Sequence, residues 1–178
     1  MTDYILLDRD GVINEDSDDF IKSPDEWIPI ENSLEAIALL TKHGFKIAVI
    51  TNQSGLARGL FDEETLTAIH YKMCQAVLNK GGKIDAIYYC PHGSDSTCNC
   101  RKPKAGLLLQ CANEHSIDLT QTVFIGDSLR DMQAAIAAQA QPILVKTGKG
   151  EETLAQNPTL SALVFNNLYD ASQFLISR

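Results

Sequence analysis

Six apolar runs of strand length, Tyr4–Leu7, Lys46–Ile50, Ala86–Cys90, Thr122–Ile125, Pro142–Val145 and Leu163–Phe165, recur along this chain with helical patterns between most of them. This alternation restricts the fold more than any other feature. Strands covered on both faces read as continuous apolar runs, and a chain that alternates them with amphipathic helices builds a mainly parallel sheet between two helical layers. The expectation is α/β: a three-layer, mainly parallel sheet flanked by helices, in one domain spanning residues 1–178. At 178 residues and 44% hydrophobic, the chain can bury one good core and is too short for two ordinary domains.

The helices between the runs carry their own signals. Ser33 is placed as the N-cap of a first helix with Leu34, Ile37 and Leu40 on one face and Gly44 past its end. A second starts at Asp62, has Glu63 and Glu64 in its first turn, and turns Leu66, Ile69, Met73 and Val77 to the core before Gly81-Gly82 stops it. Two more are expected from about Lys104 to His115 and from about Leu129 to Gln139, and the stretch from Gly148 to Pro158, polar and broken by Gly and Pro, reads as a surface loop. Cys74 and Cys111 fall on apolar helix faces as inert core residues.

Charge and composition narrow the partners. A net charge of -8 argues against a broad nucleic-acid or anionic-membrane surface, since phosphate backbones are held by clustered Lys and Arg. A small anionic substrate remains compatible with a few converging basic residues. No basic segment followed by an apolar one opens the chain, and no apolar run approaches the roughly 20 residues that span a bilayer. The expectation is a cytoplasmic protein with no membrane and no nucleic-acid partner, and with no heptad seam a monomer. Of five cysteines, Cys90, Cys98 and Cys100 cluster beside His92, a pattern of metal ligands in a reducing compartment.

The chemically suggestive residues share one edge. Asp8 follows the first strand, Thr51-Asn52-Gln53-Ser54 the second, the cysteine cluster the third, and Gly126-Asp127-Ser128 the fourth. In open α/β sheets ligands bind outside the carboxyl ends of the strands. Within Asp8-Arg9-Asp10-Gly11, residues i and i+2 of an extended segment point the same way, so two carboxylates face one pocket. Their repulsion calls for a cation, and a hard divalent ion such as Mg2+ suits oxygen ligands. An EF-hand fails because Val12 occupies a ligand position and Gly11 comes too early, and neither a P-loop nor a complete G-x-G-x-x-G occurs. Cys90, His92, Cys98 and Cys100 supply four ligands for a closed, structural Zn2+ site, with a redox pair as the alternative. Arg101-Lys102-Pro103 follows at once, so a clamped loop spanning 90–100 holds both cations near the site.

These segments resemble the motifs of the haloacid dehalogenase superfamily of phosphatases over roughly residues 4 to 150: Asp8-x-Asp10-Gly11, Thr51, Lys102 and Gly126-Asp127-x-x-x-Asp131. The resemblance implies a Rossmann-like fold with Asp8 as a nucleophile that forms an aspartyl-phosphate and Asp10 as the acid and base. It implies Mg2+ on Asp8, the Asp10 backbone carbonyl and Asp127, with Thr51 and Lys102 on the phosphoryl oxygens. Asp131 then orients Lys102 or caps the following helix. The spacings leave no room for a separate cap domain, so selectivity falls to the zinc loop, Asn14 to Trp27, and Gln53 to Arg58.

Asp8-Arg9-Asp10-Gly11-Val12-Ile13-Asn14, Thr51-Asn52-Gln53-Ser54-Gly55, Ala57-Arg58-Gly59 and Tyr88-Tyr89-Cys90-Pro91-His92 look like those of the branch that removes the 7-phosphate of D-glycero-D-manno-heptose 1,7-bisphosphate. That branch yields heptose 1-phosphate for surface-polysaccharide precursors. By this resemblance the sugar phosphate substrate is bound by Thr51, Asn52, Gln53, Ser54, Arg58, Arg101 and Lys102, with Arg101 on the second phosphate or the sugar hydroxyls. Ser128 stands where relatives often carry Lys or Arg, leaving Arg130 or Lys146 to supply that charge. Histidinol-phosphate phosphatases share the zinc pattern and give a second enzymatic expectation, and a zinc-stabilised interaction domain without activity is the non-enzymatic one.

Overall fold

The computed structural model describes residues 4–178. Six strands form one parallel sheet: β1 (Tyr4–Leu7), β2 (Lys46–Asn52), β3 (Ala86–Cys90), β4 (Val123–Gly126), β5 (Gln141–Val145) and β6 (Leu163–Phe165), in the order β3-β2-β1-β4-β5-β6. All five pairings are parallel, as the uninterrupted apolar runs require. The order reverses at β1, which pairs with β2 on one side and β4 on the other. That reversal opens a crevice at the carboxyl ends of β1 and β4.

Among the described residues five α-helices connect the strands, α1 (Ser33–Lys42), α2 (Glu63–Asn79), α3 (Gly106–His115), α4 (Leu129–Ala137) and α5 (Gly150–Gln156), and a sixth, α6 (Leu168–Ile176), follows β6. Alternate residues of β1, β2 and β4 feed two separate cores. Ile5, Leu7, Ile47, Val49, Val123 and Ile125 pack against α1, α2 and α6. Leu6, Ala48, Ile50 and Phe124 pack against α3 and α4. The expected three-layer α/β arrangement is therefore present. Leu6, Leu7, Ile47 and Ile50 are fully buried, and each such side chain contributes roughly 1.5–3 kcal/mol by leaving water.

Local boundaries differ from expectation by one or two residues at several strand and helix ends, and four differences bear on the fold or the site. Ser33 is the first helical residue of α1 and not its cap; Asn32 occupies the cap position with a left-handed backbone, and the Ser33 hydroxyl donates to the carbonyl of Ile13 at 2.6 Å. The third helix starts at Gly106, two residues after Lys104. The stretch read as a loop from Gly148 to Pro158 contains α5, a short helix whose glycine at the first position hides it from a composition reading. Strand β2 continues through Thr51 and Asn52, so the first half of the segment expected to follow it is its last two residues, and Gln53 and Ser54 follow it. Asp62 does cap α2, accepting from the Thr65 backbone N–H at 2.8 Å. Among the described residues no helix is long and apolar enough to cross a membrane.

Candidate active site

The crevice beside β1 and β4 holds a cavity of 260 Å³ lined by residues from the segments that follow β1 to β5 on that edge and from the end of β2. The register explains why. Leu7 stands opposite Ile125 and the Asp8 backbone N–H donates to the Ile125 carbonyl at 2.9 Å, so the first residues beyond the two neighbouring strands, Asp8 and Asp127, emerge side by side.

Asp8 is almost wholly buried, and its Oδ1 lies 2.8 Å from Lys102 Nζ. The same ammonium lies 2.7 Å from Asp131 Oδ1 and donates to the Ile50 carbonyl at 3.0 Å. Lys102 is thus a buried cation with every donor placed, and removing one partner of such a pair typically costs about 3–5 kcal/mol. Burial works to deprotonate Lys102, but the charges of Asp131 and then Asp8 outweigh it and hold its pKa above the usual lysine value. Asp131 fills both roles expected of it as alternatives: while Oδ1 meets Lys102, Oδ2 accepts from the backbone N–H and the hydroxyl of Ser128 at 3.0 and 2.7 Å, closing the first turn of α4.

Carboxylate oxygens of Asp8, Asp127 and Asp131 lie within 4.8 Å of one another. Burial and then the charges of Asp131 and Asp127 push the Asp8 carboxyl well above the ordinary range despite the Lys102 pair. Burial, with Asp131 next, pushes Asp127 up to about 7. Ionising all three carboxyls against one ammonium would leave two uncompensated negative charges, which is why Asp8 and Asp127 hold protons so readily, and the donors are all oxygen. That set fits a hard divalent cation such as Mg2+. Asp127 is also mechanically set. Its Oδ2 accepts from the Lys149 N–H at 2.8 Å, and a Cβ on either Gly11 or Gly148 would collide with that oxygen, at positions whose φ values of +82° and +57° already favour glycine.

Asp10 lies in the same cavity with a different environment. Its Oδ1 accepts from Arg9 Nε and NH2 at 3.1 and 2.9 Å and from the Asn14 amide at 2.9 Å, while Oδ2 accepts from the Gln53 amide at 3.0 Å. Burial raises its pKa, but the Arg9 charge and these hydrogen bonds win and leave the carboxyl below the usual range. Two carboxylates two residues apart are therefore pushed in opposite directions.

The other expected site residues separate into two groups. Thr51, Ser54, Arg58 and Arg101 line the cavity, with Thr51 almost fully buried at its floor. Arg58 stacks 5.4 Å over the Phe20 ring, and Arg101 donates to the His92 carbonyl at 3.2 Å. Arg130 also faces the cavity, whereas Lys146 is not among the lining residues. Asn52 and Gln53, expected on substrate, touch the cavity but have their side chains committed elsewhere. The Asn52 amide donates to the Lys102 carbonyl at 3.1 Å and accepts from the Lys102 N–H at 3.0 Å. The Gln53 amide donates to Asp10 Oδ2 and to Thr51 Oγ1 and accepts from Arg9. Both orient other site residues. Arg9 itself, wholly buried, is not among the expected site residues; it lies at a bend whose carbonyl accepts from the backbone N–H groups of Val12, Ile13 and Asn14, between two residues that face the cavity.

Cys90, His92, Cys98 and Cys100 converge beyond β3. Cys90 Sγ lies 3.5 Å from His92 Nδ1, 3.8 Å from Cys98 Sγ and 3.0 Å from Cys100 Sγ, and His92 Nδ1 lies 3.3 Å from Cys100 Sγ. A tetrahedron with ligand bonds of about 2.3 Å has edges of about 3.7 Å. None of the cysteines is in a disulfide. The donor set fits Zn2+, and the chain passes directly from Cys100 to Arg101 and Lys102.

Residues 99–171 match a family model for HAD-hydrolase-like proteins. A D-glycero-beta-D-manno-heptose-1,7-bisphosphate 7-phosphatase from Pseudomonas aeruginosa is 49% identical over 172 residues, covering 97% of both chains. A protein of the same name from Bordetella bronchiseptica is 56% identical over 152 residues, 85% of each. A crystal structure of D,D-heptose 1.7-bisphosphate phosphatase from B. bronchiseptica, complexed with magnesium and phosphate, is similar with a TM-score of 0.96 at 50% identity over 98% of both chains. The corresponding protein from Burkholderia thailandensis gives 0.79 at 40% identity over 99% of both.

Proposed function

Because this chain belongs to the haloacid dehalogenase-like hydrolases, and among them to the heptose bisphosphate phosphatases, we propose that it hydrolyses the 7-phosphate of D-glycero-D-manno-heptose 1,7-bisphosphate. The products are heptose 1-phosphate and phosphate. The observation that carries the reading is the gathering of Asp8, Asp10, Thr51, Lys102 and Asp127 in one cavity at the strand reversal.

Asp8 attacks the phosphorus, forming an aspartyl-phosphate while the bond to the sugar oxygen breaks. Asp10 gives its proton to the departing alkoxide and then takes one from the water that releases phosphate. In the protein alone the two shifts run against these roles, burial and the neighbouring carboxylates keeping a proton on Asp8 while the Arg9 charge and hydrogen bonds keep one off Asp10; a divalent cation beside Asp8 and a phosphate dianion beside Asp10 would reverse both. Lys102, on exchanging its Asp8 contact for a phosphoryl oxygen, and the Thr51 hydroxyl would stabilise the charge on the equatorial oxygens. Asp8, the Asp10 backbone carbonyl and Asp127 would hold Mg2+, which supplies the positive charge that lets an anionic nucleophile approach an anionic phosphate. Cys90, His92, Cys98 and Cys100 would hold Zn2+ as a structural clamp for the segment bearing Arg101 and Lys102.

The rim explains selectivity. Arg58 and Arg130 lie close enough to Arg101 that their charges, after burial, depress its pKa. Three guanidiniums at the mouth form a receptor for the second, untransferred phosphate. The working set is complete within one chain, so a monomer suffices, and a soluble sugar phosphate as substrate suits the cytoplasm. Comparing kcat/KM for heptose 1,7-bisphosphate, fructose 1,6-bisphosphate and histidinol phosphate tests the reading. A clear preference for the heptose is expected, and a preference for histidinol phosphate overturns the substrate assignment.

A further inference from the structure

Arg9 is fully buried in a protein whose other arginines reach the surface or the cavity, and helix α2 meets it from behind the active site. Its NH1 lies 3.2 Å from His70 Nε2, and its NH2 reaches both Asp10 Oδ1 at 2.9 Å and Gln53 Oε1 at 3.3 Å. A guanidinium only donates, so His70 Nε2 is the acceptor and the ring proton sits on Nδ1. His70 lies in the buried stripe of α2 with Leu66, Ile69, Met73 and Val77 and is not part of the cavity lining.

We propose that His70 and Arg9 form a buried strut that fixes the Asp10 carboxylate for proton transfer, making both of them positioning residues of the reaction. Asp10 Oδ1 takes two bonds from Arg9 and one from Asn14, which fills its acceptor capacity. Oδ2 takes one bond, from Gln53, and keeps a free lone pair. The strut therefore selects Oδ2 as the oxygen that exchanges the proton. Without His70 the guanidinium loses the contact that fixes its far end, and the fork that meets Oδ1 can pivot. Burial and then the Arg9 charge press the His70 pKa down to about 3, which keeps Nε2 an acceptor throughout the working range.

The proposal rests on the assignment of Asp10 as acid and base, and a comparison of leaving groups separates the two. In single-turnover reactions of the Mg2+-loaded enzyme, release of p-nitrophenolate from p-nitrophenyl phosphate needs no proton, whereas departure of the heptose alkoxide does. His70→Phe is expected to slow the heptose bisphosphate reaction by about 10- to 100-fold, the usual consequence of a small displacement at the chemical centre, with KM little changed. Release of p-nitrophenolate should stay within about twofold of wild type. His70→Gln, whose amide oxygen can accept from Arg9, should recover most of the rate. An equal loss on both substrates, or no loss on either, overturns the strut. Asp10→Asn, measured alongside, must show the same selectivity in stronger form; if it does not, the assignment of Asp10 falls, and if it does while His70→Phe does not, only the strut falls. Should His70→Phe yield no folded protein, Arg9→Lys goes through the same comparison. It keeps the charge but cannot reach Asp10, Gln53 and His70 together, so the same selective loss supports the strut and an equal or absent loss overturns it.

Discussion

Acidification from pH 7 to pH 5 should destabilise the protein through His70 by about 2 kcal/mol. An unfolded histidine titrates near pH 6.5, while burial and then the Arg9 guanidinium hold His70 down at about 3. Below pH 6.5 the unfolded chain takes up a proton that the folded chain refuses, so stability is full above that pH and is lost as the pH falls towards 3. At roughly 1.4 kcal/mol per pH unit, the interval from 6.5 to 5 amounts to about 2 kcal/mol. With 8% exposure the side chain gains little screening from water. Asp8 and Asp127 act the other way, because their raised carboxyls bind protons more tightly folded than unfolded. The assay is therefore a difference: urea unfolding of wild type and His70→Gln, each at pH 7 and pH 5 without divalent metal, so that the shared carboxyl contributions cancel. Wild type should lose about 2 kcal/mol more than the variant. Equal losses would mean that His70 is not held neutral against Arg9.

Two further outcomes follow from the way the site is supported. Gly148→Ala sets a methyl group against Asp127 Oδ2 on a backbone that disfavours it, so the Mg2+ concentration for half-maximal activity should rise about 10- to 100-fold, the usual effect of disturbing a ligand's support; an unchanged Mg2+ titration would refute the cradle. Cys98→Ser should loosen the loop ahead of Arg101 and Lys102 and lower kcat, with Zn2+ content by mass spectrometry falling in parallel; wild-type kinetics in a zinc-free variant would refute a clamping role.

Much of this architecture was legible because its signals are local. Apolar runs buried on both faces announce a parallel sheet, and chemistry at the end of consecutive strands announces the edge where it meets. The choice of β1 and β4 as neighbours is a long-range matter, yet Asp8 and Asp127 were tied by family resemblance before their register was visible. What escaped were residues whose roles depend on where a side chain turns. Gln53 and Asn52 look like substrate contacts in sequence, but in space their amides are spent on Asp10, Thr51 and the Lys102 backbone. Arg9 and His70 escaped because a lone arginine in a loop and a lone histidine in a helix are ordinarily solvated or inert. The clue was geometric, since His70 falls on the apolar stripe of α2 and Arg9 between two residues that face the cavity. Helix α5 escaped because seven residues starting with Gly150 carry too little periodicity to declare themselves.

The central claim is that Asp8 is the nucleophile in a site completed by a divalent ion held with Asp127. A crystal structure grown with Mg2+ and beryllofluoride, an acyl-phosphate mimic, addresses it directly. The account predicts beryllofluoride on an Asp8 carboxylate oxygen, with the metal between Asp8 and Asp127 and Lys102 Nζ on a fluorine. Beryllofluoride bonded to another residue, or a metal bound away from Asp127, would contradict it.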